Sequence, residues 1–184
     1  MDDSVSTSPS PRFAASSTTR QFVCFHLSGQ PYIFRIEQIQ EILIPGMLTR
    51  IPEVPEYVEG VSNLRGTIIP IINLRVLFGL ERRPIDAETR TIVVNVGSRI
   101  MGCTVDAVAR VLRVGADAIH PAPEMVAGTS RRSIEGFARV GEEILTLLDV
   151  TRLLDPEHLE DIHRANLAGG LPAMIESTDA PGAR

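Results

Sequence analysis

The feature of this sequence that most constrains its fold is an internal repeat. Two segments match at a shift of 69 residues and two more at a shift of 76, with apolar residues at corresponding positions. The matched pairs are Phe22–Ser28 with Thr91–Gly97, Ile36–Leu43 with Val105–Leu112, Val58–Val61 with Ile134–Phe137, and Ile68–Leu74 with Ile144–Val150. The second copy therefore has a connection seven residues longer, in the region Gly115–Ser133. We infer two copies of one five-stranded unit, lying side by side so that each covers sheet edges of the other.

Hydrophobic periodicity within the copies is mostly two, which is typical of strands. The predicted strands are Phe22–Leu27, Tyr32–Ile36, Thr67–Asn73, Thr91–Val96, Arg99–Val105 and Glu143–Asp149. Ser28-Gly29 between the first two indicates a hairpin turn, and Pro70 predicts an edge or bulge position for its strand. Short helical turns are predicted at Leu74–Phe78 and Thr151–Leu154.

The ends of the chain differ from the middle in composition. Residues 1–20 are rich in Ser, Thr and Pro, and we expect a disordered tail there and another over residues 166–184. The domain between them covers residues 21–165. We assign one barrel to about residues 21–80, a second to about 90–154, and a helix to about 156–165, with Asp155 as its N-cap and Pro156 at its first position.

Composition excludes several classes of function. All 18 basic residues are arginine, so neither a Schiff-base lysine nor a nucleotide-binding Walker A lysine is present. The net charge of −5 disfavours a sequence-independent grip on nucleic acid, and no apolar run is long enough to span a bilayer. Cys24 and Cys103 lie far apart, and His158 and His163 are five residues apart, so neither pair has the spacing of a metal site. We expect a cytoplasmic protein that needs no cofactor and no metal and has no catalytic residues.

One hairpin stands out because its turn residues combine backbone and side-chain signals. Asn63 can hydrogen-bond to nearby backbone and Gly66 can adopt positive φ, so both are expected to shape a tight turn. Arg65 then lies at its exposed tip, where loops on a rigid scaffold carry binding residues. The alternative is an arginine that is merely solvated.

The stretch GVSNLRGTIIPIINLR, residues 60–75, resembles the signature segment of the CheW family of chemotaxis coupling proteins. The resemblance extends over residues 21–154 through further segments in the family's order. They are RIEQIQEIL (35–43), GCTVDAVARVL (102–112), IHPAPE (119–124) and GFARVGEEILTLLDVTRLL (136–154). It implies an all-β fold of two SH3-like five-stranded β-barrels around a shared hydrophobic core, which agrees with the repeat.

The resemblance also implies a function. CheW proteins are adaptors that join the cytoplasmic tip of a chemoreceptor to the histidine kinase CheA, whose regulatory domain is itself CheW-like. They also meet other CheW copies in array rings at the membrane, without inserting into the membrane or binding nucleic acid. Carried over to this chain, the receptor-binding residues are Ile39, Glu41, Gly60 and Arg65. Ile39 would bury against a receptor helix, Gly60 would permit close approach, Glu41 would tune charge and Arg65 would reach acidic groups or carbonyls.

Other interpretations remain open at this point. Ile39 can be a core residue, and Gly60 can serve only a turn, as Gly136 at the corresponding position suggests. Asn73 stands where many relatives have aspartate, so a carboxylate cap at this position is not expected. The pathway can be flagellar, twitching or second-messenger signalling. A different class, a ligand-binding module built on OB-like barrels, is disfavoured by the 4% aromatic content.

Overall fold

The computed structural model describes residues 18–123 and 130–154. These residues form eleven β-strands and two one-turn helices, together with three 3₁₀ turns. The strands of the first half are β1 (Thr19–Leu27), β2 (Gln30–Arg35), β3 (Ile39–Leu43), β4 (Val58–Leu64) and β5 (Thr67–Asn73). The strands of the second half are β6 (Arg90–Val96), β7 (Arg99–Val105), β8 (Ala107–Gly115), β9 (Ile119–Pro121), β10 (Ile134–Val140) and β11 (Glu143–Leu148). The helices are α1 (Leu74–Leu77) and α2 (Ser130–Ser133), and the 3₁₀ turns are Ile36–Gln38, Ala116–Ala118 and Val150–Arg152.

The strands form two mixed sheets that confirm the predicted all-β, two-barrel fold class. One sheet has five strands in the order β3-β6-β7-β5-β4, and we call it the five-stranded barrel. The other has six strands in the order β8-β1-β2-β11-β10-β9, and we call it the six-stranded barrel. Its extra strand is the three-residue β9, which lies in the longer connection of the second copy.

The two barrels do not follow the two halves of the sequence. The prediction of one barrel over residues 21–80 and another over 90–154 therefore differs from the structure. The hairpin β1–β2 of the first copy joins the six-stranded barrel, while the hairpin β6–β7 of the second copy joins the five-stranded barrel. Each copy without the other's hairpin would expose unpaired strand edges, so the exchange satisfies backbone hydrogen bonds that a separate copy would leave open.

Parallel strand pairs show that the exchange is symmetric. In the five-stranded barrel, β5 pairs with β7 so that Ile71 lies opposite Gly102. In the six-stranded barrel, β11 pairs with β2 so that Leu147 lies opposite Ile33. Ile71 and Leu147 correspond at the shift of 76 residues, and Ile33 and Gly102 correspond at the shift of 69, so the two pairs are equivalent. The repeat found in the sequence is thus present in the strand register.

The apolar side chains form three clusters. The six-stranded barrel encloses one, built around Phe22, Ile33 and Leu145, and the five-stranded barrel encloses a smaller one of Ile69, Ile71 and Val93. The third and largest is shared between the barrels. It contains residues of both sheets and of the short helical turns: Phe25, Leu27, Phe34, Val58, Ile72, Leu74, Ile92, Val94, Met101, Cys103, Val105, Leu148, Val150, Leu153 and Leu154. This shared core is what holds the two barrels together.

Two glycines occupy corresponding bulges in the two barrels. Gly60 follows a register shift in β4, and Gly136 follows one in β10. A Cβ atom on Gly60 would overlap the carbonyl oxygen of Thr49, and one on Gly136 would overlap that of His120. Both positions therefore require glycine so that an adjacent chain segment can approach the bulged strand.

Several local predictions are confirmed and others cannot be compared. The strands at 67–73 and 99–105 have the predicted limits, and helical turns begin at Leu74 and at Val150. Pro70 lies on β5, an inner strand, but parallel pairing with β7 begins only at Ile71, so Pro70 has a strand neighbour on one side alone. The predicted helix at 156–165, the tail at 166–184 and most of the tail at 1–20 lie outside the described residues.

Candidate functional site

The predicted site centres on the turn between β4 and β5. Arg65 has φ of 51° and Gly66 has φ of 89°, so both central residues of this two-residue hairpin have the positive φ of a type I′ turn. The Asn63 side-chain oxygen accepts a hydrogen bond of 2.7 Å from the Gly66 N–H. The backbone of the turn is thereby fixed, and the Arg65 side chain projects from a rigid base.

Arg65 is held by Glu41, a second residue of the predicted site. Arg65 Nη2 donates to Glu41 Oε2 at 2.9 Å. Glu41 lies on β3 and Arg65 lies beside β4, which are the two edges of the five-stranded sheet, so this ion pair bridges the seam of the barrel. The Arg65 side chain is 77% exposed and that of Glu41 is 16% exposed. The carboxylate of the pair is therefore mostly buried, while the guanidinium that it holds is exposed to solvent.

Two buried side-chain oxygens, one on β3 and one in the 3₁₀ turn before it, lack hydrogen-bond donors among the described residues. Glu41 Oε1 and Gln38 Oε1 are buried and have no hydrogen-bond partner in the part of the chain that the structure describes. A buried acceptor left unpaired is costly, so each favours a donor from water or from a bound partner. Sequence reasoning missed Gln38, although it lies in the segment RIEQIQEIL that carries part of the resemblance.

The other two predicted residues are engaged within the chain. Ile39 is half-buried and packs against the shared core. Gly60 is buried against the backbone of Thr49, whose N–H and carbonyl both hydrogen-bond to Val61 at 2.9 Å. Both residues thus have structural roles, whereas Arg65 offers the largest free polar surface of the predicted set.

The six-stranded barrel has a different charge pattern at the equivalent positions. Arg110 on β8 corresponds to Glu41 and forms an ion pair with Glu143 at the start of β11. The residue that corresponds to Arg65 is Gly141, so the six-stranded barrel has no arginine at the tip of this hairpin. A partner that recognises the Arg65 turn by charge would meet a different pattern on the other barrel.

A polar cluster that sequence reasoning missed lies between β4 and α1. Asn73 caps α1, because its side-chain oxygen accepts from the Val76 N–H at 3.2 Å, and its Nδ2 donates to Glu59 Oε1 at 2.8 Å. Glu59 also accepts from the Thr104 hydroxyl at 2.8 Å and from Arg82 at 3.2 Å. An amide suits this position because a carboxylate there could not donate to Glu59.

Exposed apolar side chains gather near one end of the five-stranded barrel. They lie on β3, in the segment after β3 and in the connection between α1 and β6, and they comprise Ile42, Ile44, Met47 and Ile85. Val111 and Ile144 are exposed on the six-stranded barrel. The motif IPGM at residues 44–47 is a signal that could have identified the first group, since apolar residues beside Pro and Gly leave a strand for a surface loop.

The remaining titratable groups of note are the thiols, which are not activated. Burial raises the pKa of Cys103 to about 12, and it also raises the pKa of Cys24, which the nearby Arg110 partly offsets. Within residues 18–123 and 130–154, no three His, Cys, Asp or Glu side chains are grouped to hold a metal ion. A helix long and apolar enough to cross a membrane is likewise not found in these ranges. His158 and His163 lie outside them.

The fold and the site define a two-barrel all-β domain in which two copies of one unit exchange hairpins. A family model described as the CheW-like domain matches residues 21–158. The chain is 37% identical over 148 residues to the chemotaxis protein CheW of Klebsiella aerogenes, which covers 80% of this chain and 89% of the relative. It is 34% identical over 134 residues to CheW of Helicobacter pylori, covering 73% and 81% of the two chains.

A solved structure agrees with these matches. The scaffolding protein TtCheW from Thermoanaerobacter tengcongensis superposes with a TM-score of 0.71 at 31% sequence identity, over 75% of this chain and 94% of that one. The chain therefore belongs to the CheW family of chemotaxis scaffold proteins, which confirms the resemblance found in the sequence.

Proposed function

We propose that this chain is a non-catalytic adaptor that couples methyl-accepting chemoreceptors to the histidine kinase CheA in a cytoplasmic array recruited to the membrane. The relatives it matches are chemotaxis proteins and a scaffolding protein. The proposal is further supported by the two barrels, which offer different surfaces to different partners. In this account the chain transmits receptor changes by shifting populations of bound states.

The observation that carries the proposal is the Arg65 turn. Its guanidinium is exposed, yet its base is fixed by the type I′ turn and by the ion pair to Glu41 across the seam. Preorganised arginines cost little to immobilise on binding and are frequent at interface hot spots. Arg65 would contact acidic groups or backbone carbonyls of the receptor tip.

Co-sedimentation with a receptor cytoplasmic fragment and the cognate CheA tests the proposal. We expect the wild type to form a ternary complex and Arg65→Glu to lose the receptor while keeping the kinase. Arg139→Glu is the matched control, because Arg139 is also exposed near the corresponding hairpin turn of the six-stranded barrel. Among the described residues its side chain donates only to the Gly141 carbonyl, at 3.4 Å. Failure of the wild type to bind either protein would contradict the adaptor function.

A further inference from the structure

Within the described residues, the chain passes from one barrel to the other at two places. It passes from β2 to β3 through the 3₁₀ turn Ile36–Gln38, and from β7 to β8 through Asp106. The two crossings correspond in the repeat at the shift of 69 residues, and Asp106 then corresponds to Glu37. The barrels are therefore joined at two equivalent places, each of which contains a carboxylate.

At the second crossing the carboxylate is bonded to both barrels. Asp106 Oδ2 accepts a hydrogen bond from the Ser28 N–H at 2.7 Å and another from Arg75 Nη1 at 2.6 Å. Ser28 lies in the β1–β2 turn of the six-stranded barrel, and Arg75 lies in α1, directly after β5 of the five-stranded barrel. The Asp106 N–H also donates to the His26 carbonyl at 3.1 Å. One aspartate thus ties a hairpin of one barrel to a helix of the other.

The ion pair of Arg75 and Asp106 is largely shielded from water. Each side chain is 14% exposed. Arg75 Nε also donates to the Glu81 carbonyl at 2.8 Å, which fixes the guanidinium from another side. Charge-assisted hydrogen bonds are strong and directional, whereas the apolar contacts of the shared core have no preferred direction. The pair therefore restrains the angle between the barrels in a way that the core does not.

The first crossing has no equivalent contact. Glu37 is exposed, and its carboxylate forms no hydrogen bond or ion pair with another described residue. The counterparts of Ser28 and Arg75 in the repeat are Gly97 and Thr151, so the position of the cation is taken by a neutral side chain. The barrels are thus bonded through a carboxylate at one crossing only.

Apolar packing does not account for this difference. Tyr32 of β2 and Phe78 at the end of α1 stack across the two barrels, with ring centroids 5.9 Å apart. Their counterparts Met101 and Leu154 are both buried in the shared core. Apolar side chains therefore close both sides, and the polar contact is what distinguishes them.

We propose that Arg75 and Asp106 are positioning residues that set the angle between the two barrels. Without their bond, the barrels can rotate against each other over the shared core, as packed units do in shear motions. The first crossing leads directly into β3, which carries Ile39 and Glu41, so a rotation moves both residues relative to the six-stranded barrel. An effect on receptor binding rests on the proposed function, whereas the latch itself is a property of the isolated chain.

Pulsed electron spin resonance on the full chain, without receptor or kinase, measures the angle through distances between spin labels. Labels at Ser98→Cys and Glu142→Cys lie in exposed turns of different barrels. A second pair, Ser98→Cys with Thr67→Cys, lies within the five-stranded barrel and reports its internal order. Cys24 and Cys103 are buried and are not expected to take up label in the folded protein.

The decisive variant replaces both partners of the latch by apolar residues, Arg75→Met with Asp106→Leu. Such replacement often preserves the stability of a buried ion pair's surroundings, so a merely structural pair could be exchanged without effect on the angle. We expect the distance distribution between the barrels to broaden and its mean to shift, while the distribution within the five-stranded barrel stays unchanged. Arg35→Met with Glu135→Leu is the matched control, because this pair joins two strands of one barrel and its arginine is also 14% exposed. It should leave both distributions as in the wild type.

A second variant keeps the outcome decisive. If the double variant does not fold, Asp106→Asn retains the size of the side chain and removes the charge, and it should broaden the same distribution. The proposal is overturned if the folded latch variant keeps the wild-type mean and width between the barrels. It is also overturned if the control variant broadens this distribution equally, since any lost ion pair would then have the same effect.

Discussion

Arg65 Nη2 lies 2.9 Å from Glu41 Oε2, and this contact joins the two edge strands of the five-stranded barrel. Exposed ion pairs contribute roughly 0.2–1 kcal/mol, because water screens the charges and ordering long side chains costs entropy. Arg65 is largely exposed, so the pair adds little to stability. Its main effect is to direct the guanidinium, so the receptor contact that we propose for Arg65 can be tested separately from the folding of the barrel.

Removing the charge of Glu41 tests this separation. We expect Glu41→Gln to change the free energy of unfolding by less than about 1 kcal/mol, because the Arg65 end of the pair is largely exposed and is screened by water. Receptor affinity should nevertheless fall, because a neutral amide holds the Arg65 guanidinium less strongly than the carboxylate does. Urea denaturation and a receptor-binding titration measure the two effects. A large loss of stability would show instead that the ion pair holds the seam together.

Alanine variants of the two bulge glycines and of a control glycine should differ in stability in a definite order. Gly60→Ala should cost about 2–4 kcal/mol, since it combines an unfavourable positive φ of 143° with overlap on the Thr49 carbonyl. Gly136→Ala meets only the overlap with His120 and should cost about 1–3 kcal/mol. Gly46→Ala is the control, since a Cβ there has no neighbour within 4 Å. Thermal unfolding of the three variants gives the order, and equal stability of all three would refute the bulge assignment.

Replacing Asn73, the cap residue of α1, should give a variant whose loss of stability depends on pH. Asn73→Asp replaces the donor that bonds Glu59 with a second carboxylate at the same position. The two negative charges repel, so we expect a loss of about 1–3 kcal/mol at pH 7. Protonation of the introduced carboxyl relieves the repulsion, and the loss should therefore shrink as the pH falls towards 4. Chemical denaturation at pH 7 and pH 4 measures it, with Asn63→Asp as an exposed control.

The thiols predict a loss of stability at alkaline pH. Burial raises the pKa of Cys103 from its usual 9.0 to about 12, so the unfolded chain releases this proton at a lower pH than the folded chain does. The associated stabilisation is complete below pH 9 and is lost as the pH rises towards 12. The free energy of unfolding should fall over this window, and Cys103→Ala should reduce the slope. Tyr32, whose pKa burial also raises, and Cys24 account for a remainder.

The same burial makes the native thiols slow to alkylate. Thiolate is the reactive form, and neither buried cysteine supplies much of it at neutral pH. Iodoacetamide should label the wild type only on unfolding, whereas a cysteine placed in an exposed turn by Ser98→Cys should react at once. Rapid labelling of native Cys103 would contradict its placement in the shared core.

The sequence predicted local structure well where the signals are local. The turn of Asn63, Arg65 and Gly66 depends on backbone preferences of adjacent residues, and β5 and β7 were predicted from short apolar runs that contain β-branched residues. The repeat gave the correct equivalence between strands, as the pairs Ile71–Gly102 and Leu147–Ile33 show.

What the sequence did not predict depends on contacts between distant segments. Periodicity identifies a strand but not the sheet that it joins, so the exchange of β1–β2 for β6–β7 was missed. For the same reason the sequence did not predict the hydrogen bond of Arg65 to Glu41 or that of Thr104 to Glu59. Arg65 and Glu41 had each been predicted as site residues, but not as a pair.

A calorimetric titration of the receptor cytoplasmic fragment tests the central claim most directly. The wild type, Arg65→Glu and Arg139→Glu are titrated under the same salt conditions. The account predicts that Arg65→Glu loses at least about tenfold in affinity, or about 1.4 kcal/mol, while Arg139→Glu stays close to the wild type. Equal affinity of all three proteins would contradict a receptor contact at the Arg65 turn.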